Sequence, residues 1–103
     1  DETRLLEPLF AEARKIVSAA LTAYSDVNEA MAHEVIKMDQ KVDEIHKSLG
    51  KSLSQRISEG GCDTEALLNV IFISRSLERI GDLAVNIAED VVFSTSAEDI
   101  RHT

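Results

Sequence analysis

The chain has 103 residues, the size of one domain, and carries 19 acidic against 11 basic side chains for a net charge of −8. That balance excludes a nucleic-acid backbone or an anionic membrane surface as the main partner, since both need clustered lysine and arginine. Four glycines and one proline are too few to punctuate a many-stranded β domain, and 44% hydrophobic content is too high for a disordered acidic tail. A single cysteine excludes an intrachain disulfide and a cysteine-based zinc site, and nothing points to an oxidising compartment. The longest uncharged run, Ile16 to Ser25, is about half of what a membrane-spanning helix needs. No signal-peptide pattern opens the chain. It begins at Asp1 rather than at a methionine, which reads as a processed or excised piece of something larger.

Helical periodicity runs almost end to end. Pro8 stands near the start of the first apolar pattern, where proline is tolerated. Leu6, Leu9, Ala13, Ile16, Ala20 and Leu21 then recur at helical steps, predicting a first helix over residues 3–24. Asp26 with Glu29 approximates a capping box and predicts that a second helix starts there. Met31, Val35, Met38, Val42, Ile45 and Leu49 alternate steps of four and three, a heptad seam that Leu53 and Ile57 extend. Gly60-Gly61 ends this helix, predicted over 26–58, because glycine accepts left-handed cap geometry. Asp63, Thr64 and Glu65 offer a cap and first-turn acids to a third helix over 63–93. Its seam is Leu67, Val70, Ser74, Leu77, Gly81, Ala84, Ala88 and Val91, and residues 94–103 read as a polar tail. Short connections make neighbouring helices antiparallel. The expected fold is all-α, a single up-down-up three-helix bundle over residues 1–103. Gly81 lies among small seam residues, which reads as close helix approach in the core or as a functional demand for close approach.

Four carboxylates line up on this scheme. Asp39 and Asp43 on the second helix, and Glu78 and Asp82 on the third, each sit one residue past a seam position. In a symmetric hairpin, Asp39 and Asp82 are equidistant from the Gly60-Gly61 turn, and so are Asp43 and Glu78. All four then share one height of one interhelical groove. Like charges one turn apart destabilise a helix, and facing pairs add to the cost. Either nearby Lys41, Lys47, Arg75 and Arg79 offset this as a solvated salt-bridge stripe, or a hard or borderline metal cation does. His46 extends the row and is either a nitrogen ligand or an ordinary surface histidine. Cys62 reads as an idle loop thiol, and His33 and His102 show no partner pattern.

The segment from Ser74 to Phe93, SRSLERIGDLAVNIAEDVVF, together with Asp39-x-x-x-Asp43 and the closing Glu98-Asp99-Ile100-Arg101-His102, resembles the PhoU family of phosphate-transport regulators. The likeness is to the C-terminal of two tandem three-helix repeats, and it is weak over the first helix. It implies that Asp39, Asp43, Glu78 and Asp82 are metal ligands for iron or zinc, multinuclear clusters included, with magnesium or manganese as substitutes. It also implies a non-catalytic negative regulator. Such a protein acts on a phosphate ABC transporter and a phosphate-sensing histidine kinase, from the cytoplasmic side of the membrane and without inserting into it. Many members carry histidine after the last aspartate of the motif, where this chain has Leu83, which removes a ligand or polar contact. Only one bundle is present, so the chain reads as half of a two-bundle regulator or as a domain appended to a transporter.

Two other readings compete. A di-metal oxidase or hydrolase would need inward-facing glutamates with Glu-x-x-His on paired helices. Asp43-x-x-His46 is the only near match, and the quartet flanks the seam rather than entering it. A metal-free helical module would instead offer Arg75, Glu78, Arg79, Asp82 and Glu89 to a protein partner. In either non-enzymatic case the apolar flank of Ile71, Phe72 and Val92 makes a homo-oligomer plausible.

Overall fold

A computed structural model describes the backbone of residues 2–61 and 63–102 and the side chains of residues 3–61 and 63–97. Cys62, and the side chains of Glu98, Asp99, Ile100, Arg101 and His102, lie outside the described residues. A short 3-10 turn, Glu2–Leu6, leads into α1 (Glu7–Asp26), followed by α2 (Glu29–Glu59) and α3 (Thr64–His102). Among the described residues the fold is all-α. Each helix packs on the other two, and the molecule is a rod of 64 × 18 × 15 Å.

The first connection is tighter than the sequence suggests. Asp26 is the last residue of α1 and does not cap α2. Val27 adopts the left-handed conformation at φ 50°, its N–H bonding to the Tyr24 carbonyl, while the Asn28 N–H bonds to that of Ala23. These two bonds make a Schellman cap. Asn28 then caps α2, its side-chain oxygen accepting from the Met31 N–H at 3.1 Å. One residue in αL thus serves as the whole turn, and two residues on from Asp26 the competent cap is an asparagine.

The second connection follows expectation. Gly60 and Gly61 both have positive φ, and the Gly60 N–H closes onto the Arg56 carbonyl. Asp63 caps α3 by accepting the Glu65 N–H at 3.0 Å. The far end of α3 does not follow expectation, since the helix runs on to His102 instead of yielding to a tail after Phe93. Ser94-Thr95-Ser96 is compatible with this because Thr95 donates its hydroxyl to the Val92 carbonyl, satisfying it within the helix, and no glycine or proline follows.

The core is one strip. Leu9, Ile16, Val35, Val42 and Val70 are its largest fully buried side chains. Every residue of the α3 seam is buried, Ser74 and Gly81 included. On α2, Val35, Val42, Leu49 and Leu53 are buried while Met31, Met38 and Ile45 sit half-buried at its rim. Two expected members are outside it: Leu21 and Ile57 are each 57% exposed. The stripe of α1 continues from Ala20 to Ala23, which turns Leu21 about 100° away from it. Ile57 instead lines a hollow at the hairpin end with Gly60, Gly61, Leu68 and Ile71.

Candidate metal centre

As α3 advances from Ser74 to Gly81, its contacts on α2 retreat from His46 to Asp39 and Val42. Asp39 thus lies beside Gly81 and Glu78 beside His46. Of the four carboxylates, Asp39, Asp43 and Glu78 are half-buried and Asp82 is exposed.

Gly81 is the hinge of this geometry. A Cβ there would lie 3.1 Å from Asp39 Oδ1 and 3.4 Å from a Val42 methyl. The missing side chain makes room for a carboxylate as well as for helix packing. Asp39 Oδ1 occupies that space, buried and without a hydrogen-bond partner. Burial raises the Asp39 carboxyl above its ordinary pKa, and the charges of Asp43, Asp82 and Glu78 raise it further. Asp39 therefore feels the other three carboxylates electrostatically across the groove.

The cations that would make this a salt-bridge stripe are engaged elsewhere or absent. Lys41 bonds to Glu12 of α1 at 3.3 Å, and Lys15 reaches the same carboxylate at 3.3 Å. Among the described residues Arg75, Arg79 and Lys47 form no ion pair with the quartet. Only His46 reaches it: Nε2 lies 3.3 Å from Glu78 Oε2, and Nδ1 lies 2.8 Å from the buried Ser74 hydroxyl. His33, expected to be without a partner, lies 3.6 Å from Glu29 one turn away. Leu83 is 60% exposed beside Asp82 and offers no polar atom.

Two features escaped the sequence reading. Glu12 is a nearly buried carboxylate on the α1 stripe. Burial alone would raise its pKa, but hydrogen bonds from Lys41 and Lys15 and their charges outweigh this and lower it. Only the Glu12–Lys15 spacing signalled it. The second is the Ser74–His46 link, which joins residues 28 apart in sequence and has no local signature.

The donor set is oxygen-rich, anionic and under-compensated, the chemistry of a site for a hard or borderline cation. The orphaned Asp39 oxygen and the space left by Gly81 fit that use. Among the described residues no three Asp, Glu, His or Cys side chains are gathered as one ready-made metal cage. Ionised carboxylates repel one another, so closing on a cation requires their rotation. Among the described residues, hollows lie elsewhere, at the hairpin end and in a groove lined by Phe10, Val17, Leu21 and Ile80.

The family model for the PhoU domain matches residues 6–91. Relatives include phosphate-specific transport system accessory protein PhoU homologs. One from Thermotoga maritima is 31% identical over 93% of this chain and 41% of its own length. One from Pseudomonas aeruginosa is 36% identical over 89% of this chain and 38% of its own length. One from Methanothermobacter thermautotrophicus is 34% identical over 81% and 38%. The chain thus spans about two fifths of the length of the curated relatives it matches. No solved structure matches it significantly.

Proposed function

This chain belongs to the PhoU family, and from that premise we propose that it is a metal-binding regulatory adaptor of phosphate uptake. It acts by contact with a phosphate ABC transporter and a phosphate-sensing histidine kinase, as a negative regulator, at the cytoplasmic face of the membrane. Its relatives are named as accessory proteins of phosphate transport, which supports regulation without catalysis. Among the described residues no helix is long and apolar enough to cross a membrane, consistent with attachment through partners. The working architecture is an up-down-up bundle, with α2 and α3 as the metal-bearing pair.

Asp39, Asp43, Glu78 and Asp82 are the residues that would hold the cation, iron or zinc, singly or as a cluster, with manganese or magnesium in their place. A bound cation would supply positive charge that offsets four converging carboxylates. Asp39 and Asp43 would hold it from α2, and Glu78 and Asp82 from α3, so the helix pair would be tied at mid-length. Gly81 keeps the Asp39 side of the groove open. The observation that carries this reading is the buried, unpartnered Asp39 Oδ1 among three other carboxylates.

The test is elemental analysis of the purified chain beside a variant carrying Asp39→Asn, Asp43→Asn, Glu78→Gln and Asp82→Asn. Loss of bound metal in a folded variant supports the assignment, and unchanged stoichiometry overturns it. That no three ligating side chains are gathered among the described residues favours one alternative, a metal-free helical module that recognises a partner through the same charged face. Under that alternative neither protein holds metal, and the variant still loses its partner.

A further inference from the structure

Two apolar rows flank the groove between α1 and α3. On α1, Phe10, Val17 and Leu21 line it, outside the buried stripe of Leu9, Ile16 and Ala20. On α3, Ile80 lines it, and Ile73 and Ile87 stand one heptad before and after on the same face. Phe10 is 52% exposed, Leu21 57% and Ile73 44%. So α3 has two apolar faces, a seam buried against the other helices and a second row left largely uncovered. A helix that is apolar beyond one stripe is ordinarily buried beyond one stripe. Of the residues lining the hollow only Arg14 is charged, in a chain where 29% are. Depletion of charge is the compositional mark of an interface centre. The other helix pairs differ, since α1 and α2 meet over Glu12 and Lys41, and α2 and α3 over the acidic quartet.

We infer that the α1–α3 groove is a self-association surface, on which the same groove of a second copy of the chain docks. Shape selects that occupant. Each groove is bordered by two ridges, so the ridges of one copy enter the groove of the other, and like surfaces meeting in this way close at two copies. Size agrees. The α3 row alone runs about 21 Å at 1.5 Å per residue. A side of the rod, 64 × 18 Å, has room for the roughly 800 Å² that each partner gives to a standard interface. Chain length agrees as well. The chain matches 41% and 38% of the length of two relatives, which leaves each relative room for another unit of this size. These 103 residues hold one three-helix unit, and a second copy supplies the other. Each copy carries a charge of −8, so the apolar contact forms against mutual repulsion. The groove takes no part in holding a cation, and dimerisation is independent of the metal reading.

The test is sedimentation equilibrium of the intact chain after chelator treatment, up to about 0.5 mM, the range in which even a weak interface is populated. A reversible monomer–dimer equilibrium is expected, and added salt should tighten it by screening the repulsion between copies. Leu21→Lys with Ile80→Lys should weaken it at least about tenfold by placing unpaired charge in the contact, although it lowers the net charge of each copy. Ile57→Lys with Leu68→Lys makes the same charge change in the hairpin-end hollow and should leave the dimer intact. A second arm mixes ¹³C-labelled and unlabelled unaltered chain and reads intermolecular NOEs by NMR, which are expected at the Leu21 and Ile80 methyls. A monomer at every concentration overturns the inference and leaves the groove to a different occupant. A dimer whose intermolecular NOEs lie outside the groove, or that only the hairpin-end pair weakens, overturns it too. The NMR arm reads the unaltered protein, so the decision does not depend on any variant folding.

Discussion

Asp39 is held in a groove that disfavours its charge, and this gives it a distinctive effect on stability. Burial first, then Asp43, Asp82 and Glu78, place its folded pKa above the ordinary aspartate value of the unfolded chain. In the interval between those two values the folded state binds more protons, so stability falls as pH rises through it. Glu12 acts in the opposite sense: its folded pKa is lowered, so its contribution is lost as pH falls. Denaturant titrations of the metal-free chain across the acid range, beside Asp39→Asn, separate the two. The variant should gain stability relative to the parent as pH rises through the interval. A constant difference between the two proteins would contradict this. Gly81→Ala probes the same contact. Its gain in helix propensity, about 1 kcal/mol, is set against a Cβ 3.1 Å from Asp39 Oδ1. The expected result is a fold stable to within about 1 kcal/mol of the parent with markedly weaker cation binding, read by calorimetry.

At the scale of helices, the α1–α2 turn stores strain in one residue. Val27 is β-branched, 63% exposed and left-handed, a conformation that costs such residues about 1–2 kcal/mol. Val27→Asn, which tolerates αL, should raise stability by about 1 kcal/mol in urea unfolding. Asn28→Ala should lower it by about 1 kcal/mol by removing the cap on the Met31 N–H. This turn also marks where the sequence was least legible. Asp26 and Glu29 satisfy a capping pattern, but nothing local announces that valine will adopt αL and pass the cap to Asn28. The α2–α3 turn was legible because two glycines mark it, and the heptad seam then fixed the register that sets Asp39 beside Gly81. The carboxylate positions were readable from spacing for that reason. The pairing of Ser74 with His46 and the diversion of Lys41 to Glu12 were not, because each depends on which rotamer meets which neighbour across a helix interface. The tail was misread because serine and threonine favour helix ends on average, while here Thr95 satisfies its own helix backbone.

The whole molecule is a thin rod whose acid excess has a local centre. Of 19 acidic residues, four converge on one α2–α3 groove, and the described basic residues leave that groove uncompensated except at His46. Another groove of the bundle is apolar. Phe10, Leu21 and Ile80 are exposed along the α1–α3 groove, on a chain that spans about two fifths of its relatives. The acidic and apolar grooves are thus formed by different helix pairs. Because α2 and α3 each contribute two carboxylates, a cation held in the acidic groove would bind the folded chain and would find no equivalent site in the unfolded one. Such a ligand stabilises by mass action, about 2.7 kcal/mol at a hundredfold excess over its dissociation constant. The most direct measurement is therefore the melting temperature of the chain after chelator treatment and again after adding zinc, ferrous iron, manganese or magnesium. A concentration-dependent rise with at least one cation, abolished when the four carboxylates are replaced by their amides, is the predicted result. The same melting temperature with every cation as with chelator would contradict the account.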